Sequence, residues 1–371
     1  MKLVIFGLTV SSSWGNGHAT LWRGLIKALA ARGHDVVFLE RDVPYYAMNR
    51  DLHALDGGTL VLYAGWEQNL RTARAHLADA DVAMVTSYQA DGIAATGLVL
   101  ESPAAVKVFY DLDTPITLDA LASGKEVAYL GPRGLADFDL VLSYTGGDAL
   151  RQLRERLGAR RVAPLYGHVD PDVHRPVTPD EDYRADLSYL GTYADDRQAA
   201  LERLFIRAAH QLPEQRFLVA GAQYPREFPW AENIWFRKHL APSQHPAFFS
   251  SSRWTLNVTR RAMAEMGWCP SGRLFEAAAC GCPVISDAWE GLDAFFTPGE
   301  EIVLARDTGD VVRAMRMSGV ERDALARRAR ERTLDEHTSA RRAAELEALL
   351  DAAFGAAEGA AEEWQPTVAE E

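Results

Sequence analysis

Three stretches of the chain hold residues whose types and spacing could do chemistry. The first is Ser11-Ser12-Ser13-Trp14-Gly15-Asn16-Gly17-His18-Ala19-Thr20, a Ser/Gly-rich loop running into a helical pattern. Such a loop, Gly17 included, offers free backbone N–H groups at a helix start. His18 adds an imidazole with a reference pKa of about 6.5, suited to taking a proton from a hydroxyl, or else a cap or ligand contact without chemistry. The second is Asp111-Leu112-Asp113-Thr114-Pro115, two acids at i and i+2 stopped by a proline. Asp113 reads as a general base, as an orienter for His18, or as a hydroxyl acceptor; a turn held by Asp side chains is the plain alternative.

The third stretch says most. Asn257-Val258-Thr259-Arg260-Arg261 is followed by Pro270-Ser271-Gly272-Arg273-Leu274-Phe275-Glu276, and the run continues to Ser286. Ser271 is placed to N-cap a helix whose N-terminus carries about half a positive charge. With Gly272, Arg260, Arg261 and Arg273 close by, this is an anion site. Glu276 falls on the second turn, away from the anion and within reach of a ribose. A pyrophosphate at the cap with its ribose diol on the glutamate is what a nucleotide-sugar site requires; an ordinary helix with a surface glutamate is the alternative. Gly191-Thr192-Tyr193 ends another strand before a helix and can approach a phosphate or sugar.

These stretches need elements to hold them. An apolar run at 3–10, a helical pattern with Leu21, Leu25 and Leu29, and a strand at 35–40 make an opening βαβ unit and a parallel sheet. Further strands are expected at 81–86, 105–110, 139–143 and 160–165, completing a first doubly wound domain over 1–165. Residues 166–184 contain Pro171, Pro176 and Pro179 and show no period, so a linker acting as a hinge is expected. A second domain over 185–353 repeats the alternation, with strands at 186–190, 215–220, 233–236, 253–258, 282–286 and 301–304. Residues 354–371 read as an acidic flexible tail. Two α/β domains in series place a cleft at the carboxyl ends of their strands. Gly15 and Gly17 invite a dinucleotide fingerprint, with Glu40 as the ribose acid. However, Thr20 stands where the third glycine belongs, and the glycines come late after the strand.

Composition narrows the classes. Of 371 residues, 39 are Lys or Arg and 52 are Asp or Glu, a net charge of −13, which disfavours nucleic acid and anionic membrane surfaces as partners. No run of 18 apolar residues is long enough to span a membrane, so a cytoplasmic address is expected. The three cysteines Cys269, Cys280 and Cys282 form neither a disulfide framework nor a metal set of suitable spacing, and no metal is assigned.

Phe275-Glu276-Ala277-Ala278-Ala279-Cys280-Gly281-Cys282-Pro283-Val284-Ile285 resembles the donor-site helix of GT-B glycosyltransferases. With Arg273-Leu274 before it, and Gly291-Leu292-Asp293 and Pro298-Gly299-Glu300-Glu301-Ile302-Val303 after it, it is most similar to the CgeB-like group, named for a spore-maturation protein. The likeness is stronger over 185–315 than over the first domain. It implies two Rossmann-like doubly wound parallel-sheet domains facing a cleft. It also implies a nucleotide-diphosphate sugar, UDP-linked by preference, held mainly by the second domain without metal or other cofactor. The expected function is sugar transfer to an unidentified acceptor. Glu276 binds the ribose, Ser271, Gly272, Arg273, Arg260, Tyr193 and Gly17 hold the donor, and His18 or Asp113 deprotonates the acceptor. Retaining members carry E-x7-E, but the position eight before Glu276 is Trp268, so the stereochemical outcome stays open. A nucleotide-sugar epimerase, or a non-catalytic spore or cell-surface assembly protein with a degenerate donor site, are the alternatives.

Overall fold

The computed structural model describes residues 1–362. In chain order the first half runs β1 (Lys2–Gly7), α1 (His18–Ala31), β2 (Asp35–Arg41), α2 (Pro44–Ala47), β3 (Thr59–Tyr63), α3 (Trp66–Leu77) and β4 (Val82–Thr86). It continues with α4 (Gly92–Leu100), β5 (Val106–Asp111), α5 (Thr114–Ala122), β6 (Leu140–Ser143), α6 (Asp148–Leu157) and β7 (Val162–Pro164). The second half begins with β8 (Leu187–Leu190), α7 (Asp195–Leu201), a π-helical stretch Glu202–Ile206, α8 (Arg207–Gln211), β9 (Phe217–Ala220) and β10 (Ile234–Arg237). Then come α9 (His245–Ser250), β11 (Thr255–Asn257), α10 (Arg261–Met266), α11 (Gly272–Ala279), β12 (Val284–Ser286) and β13 (Val303–Leu304). Three helices close the described chain: α12 (Thr308–Met315), α13 (Gly319–Glu336) and α14 (Ser339–Glu362).

The strands form two sheets, ordered β3-β2-β1-β4-β5-β6-β7 and β10-β9-β8-β11-β12-β13. Every pairing within them is parallel. The central strands are buried on both faces, which is why they read as unbroken apolar runs. β3, an edge strand half exposed along Thr59–Leu62, adds a seventh strand that was not among the expected six, although Leu60-Val61-Leu62-Tyr63 is an apolar run. In each sheet the order reverses beside the first strand, and the loops leaving the carboxyl ends on either side of that point open a crevice. Among the described residues no helix is long and apolar enough to cross a membrane.

Four expectations change. Residues 166–184 are not a free linker but a pinned strap. His168 Nδ1 lies 2.9 Å from Ser339 Oγ, Lys27 Nζ reaches Asp170 and Asp172 at 3.1 and 2.7 Å, and Val177 N donates to Ser250 Oγ at 3.1 Å. Nor does the chain from 339 onward belong to the second domain's core. Ala343, Leu346, Leu350 and Ala353 of α14 are buried in the first domain's core with Leu21, Leu25 and Leu29 of α1. The expected tail is helical through Glu362, and its last nine positions lie outside the described residues. Pro115 does not stop the Asp111–Asp113 turn but sits in the first turn of α5, where its missing N–H costs nothing.

α1 and α14 meet at Gly24. A Cβ there would lie 2.4 Å from Ser339 Oγ and 3.4 Å from Asp170 Cβ, and Ser339 is already engaged by His168. Gly24→Ala is therefore expected to destabilise the fold by about 1–3 kcal/mol through overpacking. Gly97→Ala, in an exposed helical position with nothing within 4 Å, should leave stability unchanged or slightly raised. Thermal melts of both variants decide the point; equal behaviour would remove the close approach as a constraint.

Candidate active site

A cavity of about 580 Å³ lies between the two sheets and is lined from both halves. The first domain contributes the loop after β1 (Leu8 to Gly17), His18 at the start of α1, Tyr88 after β4, Asp113 after β5 and Tyr144 after β6. The second contributes Gly191 to Ala194 after β8, Gly221 to Gln223 after β9, Thr259 and Arg260 after β11, and Ser271 to Arg273 with Glu276 of α11. All nine candidate residues line this one cavity: Gly17, His18, Asp113, Tyr193, Arg260, Ser271, Gly272, Arg273 and Glu276.

The loop after β1 is held by Glu40. This fully buried carboxylate at the end of β2 accepts from Thr9 Oγ1, Val10 N, Ser11 N and Ser11 Oγ at 2.7, 2.7, 2.9 and 2.6 Å. Four bonds leave it nothing to offer a ribose, so the dinucleotide reading fails on this residue. Gly17 is the N-cap of α1 with open space where a Cβ would stand, and in the first turn Asn16 Oδ1 accepts from Ala19 N at 3.1 Å. His18 follows as its first residue. Its Nε2 lies 3.5 Å from Asp113 Oδ2, while Nδ1 is buried without a partner. The imidazole thus turns Nε2 toward the cavity, with a carboxylate oxygen beside it. Asp113 stands beside the cavity-facing nitrogen, a placement open to a direct base, whereas an orienter of a basic Nε2 would bond to Nδ1.

Asp111, two residues earlier, points inward. It is fully buried, its Oδ1 accepts from Asp113 N at 3.1 Å, and its Oδ2 has no partner. Burial pushes its carboxyl up to about 6, against the hydrogen bonds that favour the charged form.

On the opposite wall, α11 begins at the cavity. Ser271 is its N-cap by position, but its hydroxyl makes no capping bond, so the first-turn N–H groups are free for a ligand. Arg273 and Arg197 stand against this end. Each has a buried Nε without a partner, and among the described residues neither forms an ion pair. Burial depresses Arg273, and the neighbouring Arg197 adds to that. Arg260 also reaches the cavity, its Nε 3.1 Å from Asp196 Oδ2, whereas Arg261 is exposed and takes no part. Arg197 was not singled out in the sequence, because it stands beside two aspartates at a helix start and reads as a surface charge.

Glu276 is not a surface glutamate: only 8% of it is exposed. Burial alone would raise its carboxyl, but His174, His245 and Arg273 facing it hold it well below the usual range. His174 comes from the strap and His245 opens α9. Neither was legible as a partner, since each meets Glu276 only through the fold.

Backbone strain concentrates here. Three described non-glycine residues have left-handed backbone, Tyr88, Gln223 and Trp268 at φ of 63°, 67° and 49°. Tyr88 and Gln223 line the cavity. Trp268 packs where Cβ atoms at Gly147 and Gly291 would fall 2.5 and 2.4 Å from its ring, and its carbonyl accepts from Gly146 N of the first domain. Such conformations cost of order 1–3 kcal/mol each and collect at functional sites.

Two facing Rossmann-like parallel-sheet domains with their cleft at the strands' carboxyl ends define the GT-B fold. Comparison with known proteins agrees. Residues 197–348 match the family model described as Glycosyl transferase-like. Sucrose-phosphate synthase from Thermosynechococcus elongatus superposes with a TM-score of 0.70 at 16% identity, over 96% of this chain and 99% of that one. HepE of Anabaena, solved in complex with UDP and glucose, gives 0.65 at 12% over 95% and 100%. The catalytic domain of starch synthase IV from Arabidopsis thaliana, bound to ADP and acarbose, gives 0.66 at 11% over 95% and 99%. No curated protein matches the chain significantly in sequence.

Asp111 makes the pH dependence testable. Its carboxyl is raised in the fold from 3.8 to about 6. The native state therefore holds its proton in a window where the unfolded chain has lost it. Stability from this group is highest below pH 4, declines as pH rises through about 6, and is flat beyond. Asp111→Asn, which cannot ionise, should flatten the decline in Tm between pH 4 and 6. An unaltered slope would mean that Asp111 does not titrate in that window.

Proposed function

We propose that the protein is a glycosyltransferase that moves a sugar from a nucleoside diphosphate to the hydroxyl of an acceptor. One observation carries the reading: the uncapped first turn of α11, with Arg197, Arg260 and Arg273 around it and Glu276 one turn below, faces the His18–Asp113 pair across a single cavity. A cationic pocket in a chain of net charge −13 suits an anion. A carboxylate one turn further along suits the vicinal hydroxyls of a ribose. UDP and ADP in the cited neighbours support a nucleoside diphosphate as that anion.

In this reading the donor's diphosphate lies on the N–H groups of Gly272 and Arg273, with the guanidinium groups of Arg197 and Arg273 alongside and Arg260 at the rim. As the bond from anomeric carbon to diphosphate oxygen breaks, the departing negative charge falls on fixed donors, so the protein's own cations neutralise the leaving group. Tyr193 flanks the diphosphate from the loop after β8. The acceptor enters from the first domain, and its hydroxyl proton passes to His18 Nε2, or to Asp113 Oδ2 beside it, as its oxygen bonds to the anomeric carbon. Trp268 stands eight positions before Glu276, where the E-x7-E of retaining enzymes has its first glutamate, so the stereochemical outcome is left open. The run from Arg273 to Ile285 favours the CgeB-like group within these enzymes.

Two measurements test the two walls separately. Glu276→Ala should weaken the preferred nucleoside diphosphate by roughly 30- to 150-fold, about 2–3 kcal/mol, with Glu276→Gln in between. Because Glu276 is buried, circular dichroism must first show that the variants fold. Calorimetric titration at full wild-type affinity in Glu276→Ala would remove the donor site. On the other wall, His18→Ala should lower kcat by ~10²–10⁴-fold and leave nucleotide affinity almost unchanged. A normal kcat in that variant, with Asp113→Asn impaired, would move the proton transfer to Asp113.

A further inference from the structure

His174, His245 and Glu276 converge on one point from the strap, α9 and α11. His174 Nε2 lies 3.4 Å from His245 Nδ1 and 4.0 Å from Glu276 Oε1, and His245 Nδ1 lies 3.6 Å from Glu276 Oε2. One donor atom from each residue can be chosen so that all lie within 4.8 Å of one another. The contacts are long for hydrogen bonds, which fall mostly at about 2.7–3.2 Å, so the three groups are only loosely bonded to each other. The edge of a tetrahedron drawn around a zinc-like ion is about 3.3 Å when the bonds are about 2.0–2.1 Å; the 3.4 and 3.6 Å contacts are near it, and a small inward turn of Glu276, whose two oxygens face one histidine each, brings a single oxygen within reach of both. His174 is buried behind the pair, while His245 and Glu276 line the cavity. The fourth corner therefore opens toward the cleft.

We infer that His174, His245 and Glu276 form a binding site for a first-row divalent ion of the zinc class, and that this ion and a nucleotide's ribose exclude each other at Glu276. Two imidazoles and one carboxylate with an open fourth position make a ligand set that suits zinc, cobalt or nickel and is poor for magnesium or calcium, which prefer all-oxygen shells. The site is separate from the diphosphate end of the cavity, where the arginines stand. An ion here does not assist the leaving group; it takes the carboxylate that the ribose needs, and metal binding is inhibitory. The exclusion rests on the donor-site reading, whereas the metal site stands on its own geometry.

The test uses the full chain stripped with a chelator and titrated with cobalt(II) and, separately, zinc(II). One equivalent of each should bind, and cobalt should give the intense visible bands of a four-coordinate ion. His174→Ala and His245→Ala should each weaken binding by more than ~100-fold, beyond the range seen for merely supporting residues. His239→Ala, a cavity histidine outside the cluster, should leave it unchanged. Wild-type protein without a stoichiometric site, or a site indifferent to both histidine substitutions, overturns the metal proposal. For the exclusion, UDP and ADP are titrated into metal-free protein and into protein with one equivalent of zinc, so that little free metal remains to chelate the diphosphate. Zinc should lower the affinity of whichever binds by at least tenfold, and chelator should restore it. Unchanged affinity in a zinc-loaded protein overturns the exclusion. If neither nucleotide binds even the metal-free protein, the donor-site reading fails, and the cobalt spectrum still decides the metal site.

Discussion

The close crossing of α1 and α14 is the constraint on which the rest of the molecule depends. The chain leaves the first domain at the strap, builds the second, and comes back to bury Leu346 and Leu350 beside Leu21 and Leu25. That return is possible only because Gly24 leaves room for Ser339. The same contact gathers the strap, since Ser339 holds His168 and Lys27 of α1 holds Asp170 and Asp172. Two consequences reach the cavity. α1, whose first residue is His18, is fixed against a helix belonging to the end of the chain. The strap, fixed at its beginning, delivers His174 to Glu276. The two walls of the cleft are thus positioned by one apolar seam well away from it.

Within that frame, the site is assembled from groups that are poorly satisfied where they stand. The first turn of α11 lacks a side-chain cap, Arg197 and Arg273 have unpaired buried nitrogens, and Asp111 holds an oxygen without a donor. Tyr88, Gln223 and Trp268 sit in strained backbone around them. Each departure costs stability, and the regular sheets on either side offset it. Glu40 shows the contrast. Its four hydrogen bonds complete it, so it shapes the loop after β1 and has no capacity left for a ligand.

Much of this was legible in the sequence because local patterns carried it. Buried parallel strands read as apolar runs, and Ser271 to Glu276 read as a helix start with an anion and a carboxylate one turn apart. Most of what escaped had no local signature. β3 is the exception, an apolar run at a half-exposed edge, whereas α2 and α10 are too short for a period to register. Pro115 is ambiguous in the sequence because a proline ends one element as readily as it begins another. Arg197 stood among aspartates. The return of α14 to the first core is a matter of topology, since its apolar spacing would serve either domain.

The deepest miss is also the most instructive. A glutamate on an alanine-rich helix looks exposed, and nothing near position 276 announces two histidines brought in from 102 and 31 residues before it in the chain. Burying a carboxylate is costly unless it is paired. Glu276 is buried at a distance from both imidazoles that no good hydrogen bond would choose, and Arg273 stands one turn away. Such a group is poised rather than settled: it gains by accepting two hydroxyls from a ribose, and it gains by coordinating a cation with its histidines, but it cannot do both. The position that makes the donor helix useful therefore also makes it a place where a second ligand can intervene, because one carboxylate serves two incompatible partners.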